Sequence, residues 1–124
     1  MVRHHHSLLK SFGFAFAGLS LFFRTQRNAR IHLILGLAAC GFATWLRISR
    51  LEWLMLIFAI ASVMILEGIN TAIETVVDLA SPDIHPLAKQ AKDLAAAMVL
   101  LAAIAASIIG LVILGPPLWN KLLD

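Results

Sequence analysis

Glu67, Asn70, Glu74 and Asp78 stand on a segment that is otherwise almost wholly apolar. Their spacing of three and four residues is that of one helix face. With Glu67 as the origin and about 100° per residue, Asn70 falls near 300°, Glu74 near 340° and Asp78 near 20°, an arc of roughly 80°. Thr71 lies just beside this arc, while Ile69, Ile73, Val76 and Val77 take other faces. A carboxylate in apolar surroundings is costly unless it has a partner, a metal or water. Three on one face also repel one another, so a cation must join them. The sequence offers a divalent metal or Lys92. Magnesium suits two carboxylates when phosphate oxygens complete its shell. Phosphoryl transfer to a hydroxyl is therefore one chemistry open to the stripe, with Lys92 as a point charge on phosphate. A proton or cation path, or polar contact between helices, is equally open, and Glu74 and Asp78 can simply be wet near a helix end. Glu67 resists the bland readings best, because it follows the run Leu54–Leu66, polar only at Ser62.

The elements that position these side chains belong to a single domain, since 124 residues leave no room for a second. Hydrophobic residues make up 60% and charged residues 14%, against the near-quarter charged content of soluble domains. This composition predicts an all-α membrane protein. Leu8, Phe12, Phe16, Leu19 and Phe23 recur at helical spacing, which predicts an amphipathic surface helix over 7–23, a short buried helix being the other reading. Spans are expected over 28–47, 53–79 and 93–114. The second runs on to Ser81-Pro82, about 28 residues or about 42 Å, so its acidic half emerges on one side. Gly115-Pro116-Pro117 is expected to close the third, with Trp119 as an anchor. Arg47–Glu52 is expected as a short polar turn between Trp45 and Trp53. Gly36, Gly41 and the Ala-rich stretch from Ala95 to Ser107 favour close packing and self-association.

The formal charge of +3 is unevenly spread, for residues 1–30 hold Arg3, Lys10, Arg24, Arg27 and Arg30 and no carboxylate. These cations sit among Phe12, Phe14, Phe16, Phe22 and Phe23, which fits a lipid headgroup region and not a nucleic-acid groove. The positive-inside rule puts the N-terminus and the Ala80–Lys92 connector in the cytoplasm. Cys40 is alone in an apolar run and reads as a small hydrophobe. His4-His5-His6 is a metal-binding tract or has no specific role. His32 reads as a structural residue facing headgroups or a neighbouring helix. His85, before Pro86, lies near a nucleotide or caps the next helix. No phosphate-binding loop of the G-x-x-x-x-G-K-[ST] kind is present, so a nucleotide needs another arrangement.

The run Glu67-x-x-Asn70-Thr71-Ala72-Ile73-Glu74-x-x-Val77-Asp78, followed by His85 and Ala91-Lys92-Asp93, closely resembles the signature of the prokaryotic diacylglycerol kinase family, which includes the undecaprenol kinases. Arg27-Asn28-x-Arg30-x-His32 and the three-span plan extend the resemblance over nearly the whole chain. The resemblance implies a homotrimer in the bacterial cytoplasmic membrane, with active sites shared between subunits at the cytoplasmic surface. ATP is then the phosphoryl donor, Mg2+ the metal and a membrane lipid alcohol the acceptor. Carried over by position, Glu67 is similar to the general base and Asn70 supports the site. Glu74 is similar to the metal-binding carboxylate, and Asp78, Lys92 and Asp93, with His85 nearby, resemble the nucleotide-holding residues.

Two departures stand out. The family commonly has a second metal-binding Glu where this chain has Gln26, an amide with one acceptor oxygen and no charge. Many relatives carry Lys where this chain has Ala17. His85-Pro86-Leu87-Ala88-Lys89 is similar to the branch acting on undecaprenol, with diacylglycerol as the alternative acceptor. A proton or cation conduit, or a non-catalytic assembly factor built on the kinase fold, are the readings of other classes.

Overall fold

The computed structural model describes residues 7–124; His4–His6 lie outside the described residues. The chain forms four helices in order, α1 (Leu8–Thr25), α2 (Arg27–Leu46), α3 (Arg50–Ala80) and α4 (Pro86–Leu123). Three of them, α2, α3 and α4, are long and apolar enough to cross a membrane. Among the described residues there is no strand.

The helix boundaries follow from local chemistry. Ser7 caps α1 by accepting a hydrogen bond from the Lys10 amide at 3.4 Å. A single extended residue, Gln26 (φ −103°, ψ 109°), separates α1 from α2. Arg30 braces this break, for its Nη1 donates to the carbonyls of Phe23 at 2.9 Å and Arg24 at 3.0 Å. These are among the last carbonyls of α1, which have no partner inside the helix. At the far end of α2, Arg47 adopts the left-handed conformation (φ 54°) and returns its amide to Ala43 and Thr44.

Two expectations are corrected here. Arg47–Glu52 is not all turn: α3 begins at Arg50, and Ser49 and Glu52 form a reciprocal capping box, with Oγ accepting from the Glu52 amide at 3.2 Å. Nor does Gly115-Pro116-Pro117 close the third span, because α4 continues through both prolines to Leu123. A proline usually disfavours helix at the residue before it through its Cδ and that residue's Cβ, and Gly115 has no Cβ. The extra turns are also held from outside the helix. Lys121 Nζ donates to the Trp45 carbonyl, 76 residues away, at 3.2 Å, and sits 4.6 Å from the centroid of the Trp45 ring.

α4 packs along α3, α2 lies against both, and α1 leans chiefly on α2. Ala43, Leu56 and Ile113 form the buried apolar cluster, with Trp53, Ile60 and Ile109 around it. At Gly36 the close approach is a requirement, since a Cβ there would lie 2.9 Å from Ile60 Cγ2. Elsewhere large apolar side chains face outward, such as Phe58 and Leu111. That is the surface a chain presents to lipid or to other spanning helices. The apolar cluster occupies the end of the bundle near the α2–α3 turn. The polar stripe lies toward the other end, where α3 hands over to α4.

Candidate functional site

α3 is the scaffold of the site. Its 31 residues extend about 46 Å, more than the roughly 30 Å of hydrocarbon, so the helix carries one polar face from apolar surroundings out to its end. Glu67 and Asn70 are buried, at 4% and 9% exposure. Glu74 is half-buried and Asp78 exposed. Within this face Asn70 Nδ2 donates to Glu74 Oε1 at 3.2 Å, fixing that carboxylate one turn below it. Asn70 Oδ1 is buried and has no hydrogen-bond partner. The Thr71 and Thr75 hydroxyls turn back to the carbonyls of Glu67 and Thr71 and leave the stripe to its neighbours.

The connector between α3 and α4 makes a second, shallower part. Ser81 Oγ donates to the Asp83 carbonyl at 3.0 Å. The His85 ring caps α4, its Nδ1 accepting from the Leu87 amide at 3.1 Å, and Pro86 fills the first helical position. A cleft of about 350 Å³ opens here, lined in part by Asp78, His85, Lys89, Lys92 and Asp93. Lys92 Nζ bonds Asp78 Oδ1 across the two helices, and Lys89 Nζ bonds Asp93 Oδ2 along α4. Lys92 and Asp93 point apart, as adjacent helical residues must, yet both face the same cleft.

The structure thus brings Asp78, His85, Lys92 and Asp93 to one cleft, and holds Asn70 and Glu74 together on the adjoining helix face. Gln26 stands apart from this group. It lines a groove of about 800 Å³ between α1 and α3, beside Gly68, Thr71 and Thr75, in which Glu74 has no part.

Among the described residues no three of His, Cys, Asp and Glu gather as a metal cage. The half-buried Glu74 carboxylate and the unpartnered Asn70 oxygen are hard oxygen donors on one face, too few to hold a cation alone. That donor set fits magnesium arriving with nucleotide phosphates, which keeps most of its shell as phosphate and water oxygens.

Two residues gain a clearer place than their sequence context gives them. Arg30 is occupied by the end of α1. His32, on α2, places its Nε2 4.0 Å from Glu67 Oε2. The signal for His32 was only a polar ring interrupting an apolar run, because nothing local ties α2 to the middle of α3.

The sequence model of the family described as prokaryotic diacylglycerol kinase matches residues 13–114. A protein of Synechocystis sp. named diacylglycerol kinase is 50% identical over 115 residues, which is 92% of this chain and 66% of that protein. The chain therefore spans just under two thirds of that relative. The undecaprenol kinase of Bacillus subtilis is 43% identical over 111 residues, 88% of this chain and 89% of the relative. The diacylglycerol kinase of Escherichia coli K12 is 35% identical over 101 residues, covering 82% and 83%. The chain belongs to the prokaryotic diacylglycerol kinase family, membrane lipid kinases whose phosphoryl acceptor is an alcohol.

Proposed function

We propose that the chain, acting as one domain over 1–124, transfers the terminal phosphoryl group of ATP to the hydroxyl of a membrane lipid, with undecaprenol as the preferred acceptor. The observation that carries this reading is Glu67, a buried carboxylate on the same face of α3 as Asp78, which lines a cleft that carries the cations of α4. A proton path or a polar helix contact needs no such cleft beside it. Diacylglycerol is the second acceptor, favoured by the name of the Synechocystis relative and its 50% identity. Undecaprenol is favoured by His85-Pro86-Leu87-Ala88-Lys89 and by the 43% identity to the Bacillus enzyme over most of both chains.

In this mechanism the lipid hydroxyl reaches Glu67 from the bilayer. Its oxygen attacks the terminal phosphorus, the bond to the ADP oxygen breaks, and the hydroxyl proton passes to the Glu67 carboxylate. A loose transition state asks for that proton only late, so a carboxylate is a sufficient base. Asn70 keeps Glu74 from turning into the acceptor's path. The ammonium of Lys92 has three donors; one meets Asp78, and the others are free for phosphate oxygens. In the neutral His85 ring the proton lies on Nε2, because Nδ1 accepts from Leu87, so that edge donates to a nucleotide acceptor. Lys89 holds Asp93 at the rim. Magnesium, when bound, would supply positive charge to the phosphate oxygens, and Glu74 with the unpartnered Asn70 oxygen would hold it; Gln26, in its separate groove, does not join that pair within one chain.

We further propose that the cleft end faces the cytoplasm, in the bacterial inner membrane. Arg24, Arg27, Arg30, Lys89 and Lys92 all lie toward that end. The exposed apolar faces and the small residues of α4 support self-association; the number three, and active sites shared between subunits, come from the family resemblance alone.

The test is a labelled-ATP transfer assay in vesicles carrying undecaprenol and diacylglycerol at equal mole fraction. Undecaprenyl phosphate is expected to form faster. Faster phosphatidic acid formation makes diacylglycerol the acceptor, and labelling of neither lipid contradicts the kinase reading.

A further inference from the structure

His32 stands in the second turn of α2 and meets Glu67 of α3 with its Nε2 4.0 Å from Oε2. The Glu67 side chain is 5% exposed and that of His32 is 25% exposed. Among the described residues no other basic group comes within that distance of Glu67, and no side chain or amide donates a hydrogen bond to its carboxylate. The other charged and titratable groups facing this region are accounted for. On α2, Arg30 is committed to the carbonyls at the end of α1. On α3, Glu74 is held by Asn70. The part of α4 that closes the cavity of about 300 Å³ beside His32 contributes Ala103, Ala106 and Ser107, none of them ionisable.

A buried carboxylate with no donor has nothing to fix its orientation. A base must instead present one oxygen to the hydroxyl it deprotonates. We propose that His32 is a positioning residue for Glu67: its Nε2–H holds one carboxylate oxygen and leaves the other aimed at the lipid hydroxyl. A separation of 4.0 Å exceeds a formed hydrogen bond, and catalytic hydrogen bonds commonly shorten only when substrate is in place. The neutral imidazole suffices, so no change in its charge is required. The inference rests on the assignment of Glu67 as the base.

The experiment compares His32→Leu and His32→Gln in vesicles, measuring kcat and KM separately for the lipid and for MgATP. His32→Leu removes the donor and is expected to lower kcat about 10- to 100-fold, the loss that follows from misplacing a reacting group by about an ångström. Both KM values should stay within about twofold, since His32 binds neither substrate. His32→Gln carries an N–H at nearly the same reach and is expected to restore most of kcat. Unchanged kcat in His32→Leu, a change confined to KM, or failure of glutamine to restore the rate each overturns the proposal. If the leucine variant does not fold, as judged by its melting curve, His32→Met is read in its place against the same outcomes. Glu67→Gln measured alongside separates the two claims. If that variant is active, the base assignment itself is wrong; if it is inactive while His32→Leu is fully active, only the positioning role fails.

Discussion

Lys92 illustrates how much can hang on one side chain without stabilising the fold. Its ion pair with Asp78 joins α3 to α4, but the two side chains are 39% and 67% exposed, and exposed pairs contribute roughly 0–1 kcal/mol at most. Its larger role in this account is toward phosphate, where a charge-assisted contact is worth about 1.5–3 kcal/mol. Lys92→Met is therefore expected to raise the KM for ATP about 10- to 100-fold, in steady-state assays, while the melting temperature moves by only a few degrees. A large loss of melting temperature with an unchanged KM would mean that the residue only ties two helices together. Residues of this kind were readable from sequence because they fall on one helix face or sit a fixed distance beyond its end. His32 was not, since its partner lies on another helix and pairing across helices leaves no periodic trace. The bracing role of Arg30 was hidden for a related reason: in sequence it is one more cation of a basic head, and only the single-residue break at Gln26 brings it back to the α1 carbonyls.

Among the elements, α3 was the most legible, because a polar stripe on an apolar run is a strong signal at a period of 3.6 residues. Its start was not read correctly, although Ser49-Arg50-Leu51-Glu52 has the spacing of a capping box. Polarity suggested a turn where the same polar atoms were closing the helix end. α4 was cut short at Pro116-Pro117 because the bonds that sustain it come from Trp45, at the end of another helix. The packing of α2 on α3 depends on a missing side chain at Gly36. A methyl there would press against Ile60 Cγ2 at 2.9 Å, a branched atom close to its own backbone and poorly able to yield. Gly36→Ala is expected to destabilise the protein by about 1–3 kcal/mol, observed as a lower midpoint in denaturant. In the Gly36→Ala, Ile60→Ala double variant the loss should be smaller than the sum of the single losses, because the second change removes the obstructing methyl. Strict additivity would show that the contact does not limit how closely these helices pack.

The whole molecule explains why the site sits where it does. Apolar packing near the α2–α3 turn leaves the opposite end to polar chemistry, and α3 links the two along one face. Few side chains are buried within a single chain, and the outward apolar faces suit lipid or other spanning helices. A water-soluble nucleotide and a bilayer-bound alcohol can meet only where such a helix leaves the hydrocarbon. In the proposed mechanism Glu67 marks that meeting point from the lipid side and Lys92 from the water side. The most direct measurement is transfer of labelled phosphate from ATP to lipid by Glu67→Gln, in vesicles and at saturating levels of both substrates. Transfer should fall at least about 100-fold, with helix content and oligomer size equal to those of the unaltered protein. Transfer at the unaltered rate would contradict the account at its centre, because the acceptor's proton would then have to leave by some other group.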